Sequence, residues 1–119
     1  MSGATGMNLS SERVGRAVLV RVGEAKLTYQ ILSKFADAVT KLFAAGEKRV
    51  IIDLSRVVYV DSATIGCLMD LYRQADKLGG AIKLAGVQKR VETMLTMTGA
   101  HNFIELHADE AGAASSFGE

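Results

Sequence analysis

The 119-residue sequence has no tryptophan, no proline and one cysteine, and its aromatic residues are three tyrosines and four phenylalanines. So few aromatic rings argue against a large aromatic ligand cage and leave core formation to aliphatic packing. Cys67 has no second cysteine to pair with, so no internal disulfide is expected. Its place among apolar residues predicts a small packed hydrophobe in a reducing cytoplasm. Charge of one sign is lacking too. With 14 basic and 13 acidic residues the net charge is +1, which gives no field to draw in nucleic acid or an anionic membrane. No apolar run approaches the length of a membrane span, and no basic patch precedes an apolar stretch at the N-terminus, so neither a signal peptide nor an anchor is expected.

The chemical motifs are sparse as well. One cysteine and two separated histidines, His101 and His107, make no zinc ligand set. Glycine-rich phosphate loops of the dinucleotide or Walker type are missing, and no cofactor is expected. No Gly-x-Ser-x-Gly elbow surrounds Ser62, which removes the main signal for a serine hydrolase. Asp53 follows an apolar run as a phosphoryl-transfer aspartate would, but Ser55 stands where a second aspartate is needed. A strand-end aspartate accepting turn N–H groups is the simpler reading. The chain therefore reads as a binding module and not as an enzyme.

What is present fits one domain. No proline- or serine-rich break divides the chain, 49% of it is apolar, and its length suffices to bury about two-thirds of its unfolded surface. The organising stretch is Arg49 to Gly80. Val50-Ile51-Ile52-Asp53-Leu54 is an apolar run of strand length, suited to burial on both faces. Val57-Val58-Tyr59-Val60 leads to Asp61-Ser62, after which Ile65, Leu68, Met69, Tyr72, Ala75 and Leu78 recur at helical spacing until Gly79-Gly80. Asp61-Ser62 thus marks a strand-to-helix junction. Either residue is a helix cap, and a phosphate on an exposed serine here would face the positive end of the helix dipole.

Read in order, Met1 to Gly6 is an expected disordered tail. Met7 to Arg13 is a candidate edge strand, a place where the chain could self-associate as a weak homodimer, and Ala17 to Val22 is an interior strand joined to it by a tight turn. After Gly23-Glu24-Ala25-Lys26, Thr28 is the expected cap of a helix with Leu27 stapled to Leu32 across it. Leu32, Phe35, Ala36, Val39, Leu42 and Phe43 form its inner stripe, and Gly46 ends it. A helix between two buried strands makes those strands parallel. Ala81 to Ala85 is a further strand, Val87 to Thr98 a helix stopped by Gly99, Phe103 to Leu106 a short edge strand, and Asp109 the cap of a small last helix. Beyond Ala114, residues 115–119 are expected to fray. The class is α/β, a mixed β-sheet packed against amphipathic helices.

Ile51-Ile52-Asp53-Leu54, then Val60-Asp61-Ser62-Ala63-Thr64-Ile65-Gly66, Gly79-Gly80 before a strand and Met97-Thr98-Gly99 together resemble the STAS domain, over Met7 to Ala114. Within that family the chain looks most like the free-standing anti-sigma factor antagonists. The resemblance implies that Ser62 is phosphorylated by an anti-sigma factor serine kinase that also holds the sigma factor, and that a serine phosphatase reverses this. It makes Asp61, Ser62, Ala63, Thr64 and Ile65, together with Gly23, Glu24, Lys26, Leu27 and Thr28, the docking surface. Unphosphorylated protein would bind the kinase and free the sigma factor, in the cytoplasm and without nucleic acid or membrane. The alternative is a STAS scaffold or accessory subunit of a stress-signalling or lipid-transport complex, never phosphorylated. A small enzyme or nucleotide-binding protein of similar topology is a third reading, since fold does not fix function. Two departures from the family pattern stand out. Ala63-Thr64 replace its common Ser-Gly, and Lys26 reverses the charge of its acidic loop residue, which leaves open weakened recognition, a co-varied partner or a counter-charge for phosphoserine.

Overall fold

The computed structural model describes residues 8–118; the expected tail, Met1 to Gly6, lies outside them. The elements in chain order are β1 (Leu9–Val14), β2 (Ala17–Val22), β3 (Lys26–Leu27), a 3-10 turn (Tyr29–Ile31), α1 (Leu32–Ala44), β4 (Arg49–Asp53), β5 (Tyr59–Val60), α2 (Ser62–Lys77), β6 (Ala81–Ala85), α3 (Lys89–Thr98), a second 3-10 turn (Ala100–Asn102), β7 (Glu105–His107) and α4 (Glu110–Ser116). Five strands form one sheet in the order β1-β2-β4-β6-β7, and β3 and β5 form a separate two-stranded ladder. The β1-β2 hairpin is antiparallel and every other pairing is parallel. This is the mixed-sheet α/β architecture that the sequence implies.

The continuous apolar runs of β2, β4 and β6 follow from burial on both faces. Val20, Val22, Val50, Ile52, Ile82 and Leu84 meet Phe35 and Val39 of α1, Leu68 and Leu71 of α2, and Val91 and Leu95 of α3 in the main core. On the other face Ala17, Leu19, Ile51 and Ala85 meet Ala113 and Ala114 of α4. A strand covered on one face only would alternate; these three do not.

Several boundaries differ from expectation. Thr28 precedes α1 by a 3-10 turn, and its hydroxyl makes no capping bond; the Ile31 N–H donates to the Thr28 carbonyl oxygen at 3.0 Å instead. The inner stripe of α2 includes Thr64 and Leu71, whereas Leu78 is 41% exposed. The last strand starts at Glu105, and Phe103 turns outward against the Tyr72 ring at 5.8 Å. The fraying expected beyond Ala114 is not what the described residues show. α4 continues through Ser116, the Lys83 ammonium donates to Ser116 Oγ at 2.7 Å, and it lies 4.0 Å from the centre of the Phe117 ring. A lysine on an otherwise apolar strand thus holds the last turn in place.

Two glycines of the Ser62-to-Gly80 unit have opposite surroundings. A Cβ at Gly80 would stand 1.9 Å from the Lys48 carbonyl oxygen, so the strand entry requires a residue without a side chain. A Cβ at Gly66, inside α2, would meet nothing within 4 Å outside its own helix backbone. Gly80→Ala is expected to destabilise the fold by about 2 kcal/mol or more through overpacking. Gly66→Ala should stabilise it by about 0.5–1 kcal/mol through helix propensity. Urea unfolding of both variants checks the pair.

Candidate functional site

The junction between β5 and α2 brings two distant stretches together. Val60 pairs with Leu27 and Tyr59 with Lys26, so the short β3-β5 ladder carries the segment after β3 alongside the start of α2. Asp61 is the N-cap of α2, with extended backbone (φ −108°, ψ 178°). Its Oδ1 accepts the Thr64 N–H at 3.0 Å, the usual bond between a cap and the third helical residue. Its Oδ2 accepts the Tyr29 N–H at 3.0 Å, across 32 residues of chain. One carboxylate therefore caps both α2 and the 3-10 turn that opens α1. Thr28 stands at the cap position of that turn, but the Ile31 N–H its hydroxyl could accept goes to its own carbonyl oxygen at 3.0 Å.

The Tyr29 N–H does most to hold the Asp61 carboxyl below the usual carboxylate range; partial burial opposes it, and the Thr64 hydroxyl and N–H add to the lowering. Asp61 is thus engaged within the fold. Ser62, the first residue of α2, is exposed, and Ala63 beside it is half-buried. The exposed neighbours include three large apolar or aromatic side chains: Tyr29 is 76% exposed, Tyr59 43% and Val58 39%. Alongside, Tyr29, Gln30, Leu32, Ser33, Ala63, Cys67 and Asp70 line a groove of about 530 Å³ between α1 and α2. Burial, and then Asp70, push the Cys67 thiol up to about 11, so it stays a thiol at neutral pH, consistent with a packed side chain.

The expected docking residues divide into three sets. Lys26 is exposed and Thr28 half-buried beside this surface, as Ser62 and Ala63 are. Leu27, Thr64 and Ile65 are 0%, 0% and 6% exposed, which corrects their assignment as contact residues: their side chains face the core and support the surface from beneath. Gly23 and Glu24 belong elsewhere. The Glu24 carboxylate accepts the Asn8 N–H at 2.7 Å, and Gly23 lines a separate cavity of about 250 Å³ with Asn8, Ser10, Arg21, Asp53, Ser55 and Arg56. Asp53 ends β4 and accepts the Ser55 N–H at 2.7 Å, the strand-end role expected of it. Tyr29, Gln30, Val58 and Tyr59 were not singled out by sequence reasoning. Their signal was present: two tyrosines and a valine in polar or short segments, outside every helical stripe.

Asp61→Ala should cost about 1–2 kcal/mol in urea unfolding, as loss of a cap does. The pH dependence has a definite sign. Because the folded carboxyl titrates below its ordinary value, the contribution of Asp61 is complete above about pH 4 and is lost as pH falls through the lower folded value. The stability gap between wild type and Asp61→Asn should therefore narrow on acidification; a gap constant down to pH 2 would contradict the double cap.

Solved structures with the same architecture are found in different settings. An anti-sigma factor antagonist from Mycobacterium paratuberculosis superposes with a TM-score of 0.85 at 17% identity, covering 100% of both chains. The Bacillus cell fate determinant SpoIIAA in its phosphorylated form matches with a TM-score of 0.72 at 17% identity, over 92% of this chain and 99% of that one. The murine Solute Carrier 26 family member A9 anion transporter contains a similar unit, with a TM-score of 0.74 at 19% identity, over 89% of this chain but 18% of the transporter. At such identities these likenesses concern the fold. The STAS domain family model matches residues 8–113, close to the whole described chain, and the chain belongs to the STAS domain family.

Proposed function

We propose that this protein is an anti-sigma factor antagonist that works by partner switching. Unmodified, it binds an anti-sigma factor serine kinase and so frees the sigma factor; with phosphate on Ser62 it releases the kinase, and a serine phosphatase restores the binding form. It acts in the cytoplasm, as a binding module with no chemistry of its own. The observation that carries this reading is the exposure of Ser62 on the first turn of α2, next to the exposed rings of Tyr29 and Tyr59. The likeness to an anti-sigma factor antagonist and to a relative solved in phosphorylated form supports it.

The physical argument concerns charge in an apolar contact. A phosphoserine carries about −1.5 to −2 charges at neutral pH. The helix start tolerates this charge in the free protein, because its first backbone N–H groups lack helical partners and carry partial positive charge. A partner covering Tyr29, Val58 and Tyr59 would instead have to bury the dianion among apolar groups, and uncompensated charge burial is costly. The interface is gated locally and the fold is unchanged. No helix among the described residues is long and apolar enough to cross a membrane.

The test starts with intact-mass analysis of the protein from its own host, before and after phosphatase treatment; a single phosphate mapped to Ser62 is expected. Ser62→Ala should retain kinase binding without being phosphorylated, whereas Ser62→Asp should bind at least about tenfold more weakly, a loss typical of an unpaired charge placed in an interface. Equal affinity of the two variants would overturn the switch. Persistent absence of phosphate after incubation with each candidate kinase of the host would transfer the weight to an unmodified scaffold.

A further inference from the structure

Thr64 is a polar residue with no exposure at all. Its hydroxyl lies 2.6 Å from the Leu27 carbonyl oxygen and 2.8 Å from Asp61 Oδ1. A hydroxyl carries one hydrogen and here faces two acceptors, so it is shared between them in a three-centre bond. The two acceptors belong to different parts of the chain. Leu27 ends β3 just ahead of the Tyr29 turn, and Asp61 caps α2 and holds the Tyr29 N–H. Thr64, two residues after Ser62, thus closes a ring of hydrogen bonds that runs from Leu27 to Thr64, on to Asp61 and on to Tyr29.

From this we infer that Thr64 is the positioning residue of the Ser62 surface: with Asp61 it fastens the Leu27–Gln30 segment to the first turn of α2, so that Ser62 and Tyr29 are presented to a partner as one preformed unit. The inference deepens the proposed function and rests on it only where it concerns the partner. Two alternatives fail on the same geometry. β3 and β5 pair through two residues each, too short a ladder to hold the segment by itself. The Thr28 side chain makes no bond to the turn that follows. The tie lowers the ordering that a partner must impose on binding.

The experiment is amide hydrogen exchange by NMR on the full, unmodified chain. In wild type the Tyr29 amide should be protected well beyond an unstructured peptide despite its exposed side chain; free exchange there overturns the inference without recourse to any variant. Thr64→Val keeps the shape and removes the hydroxyl. It should raise exchange at Tyr29 and Gln30 by about five- to tenfold relative to the core amides of Ile52 and Leu84, the effect of one lost hydrogen bond. Thr64→Ser should restore protection to near the wild-type level. A uniform increase across the core in Thr64→Val, or equal behaviour of the valine and serine variants, would reduce Thr64 to a packing residue and overturn the assignment. No phosphate or partner enters these readings, so a Ser62 that is never phosphorylated leaves their outcome intact.

Discussion

The constraint on which the rest of this structure depends is that β2, β4 and β6 carry apolar side chains on both faces. A sheet of that kind is stable only between two layers. The helices α1, α2 and α3 supply one layer around Phe35, Leu68 and Leu95, and the short α4 supplies the other over Leu19 and Ile51. The chain must therefore leave the C-terminal end of each parallel strand and return through a helix. Functional positions in open α/β sheets gather at those strand ends. Ser62 arises from this geometry: it is where the chain, having left β4 and paired briefly with β3, turns into the returning helix.

Much of this was legible in the sequence. The six-residue run of β2, the glycines that end α1, α2 and α3, and the change of period at Asp61-Ser62 are local signals, and each gives its element within a few residues. Other features depend on contacts across long spans of chain, which period and propensity do not encode. Nothing near Thr28 reveals that Asp61 takes the Tyr29 N–H from 32 residues away, or that a 3-10 turn stands between Thr28 and α1. Nothing near Ser115 shows that Lys83, on a strand 33 residues upstream of Ser116, keeps the last helix turn in place. At the site, the serine and its cap were legible as a junction. Which side chains are exposed there was not, because Leu27, Thr64 and Ile65 look like any others in a motif until burial separates them from their exposed neighbours.

The electrostatics of the junction turn on Asp61. Asp61 is committed inward, with both oxygens accepting hydrogen bonds from the fold, and so serves as structure more than as a charge displayed to a partner. The exposed Ser62 beside it carries no charge of its own. Lys26, exposed on the neighbouring ladder, sets a positive charge close to the same corner, where the family pattern has an acidic residue.

Cys67 lines the groove beside Ala63 and Tyr29, and it is the chain's only cysteine. With its thiol pushed up to about 11, it stays protonated at neutral pH, so alkylation there is slow but confined to one place. The protein thus comes with a built-in footprinting probe: the rate of alkylation at a single native atom reports whether the groove next to Ser62 is open or covered.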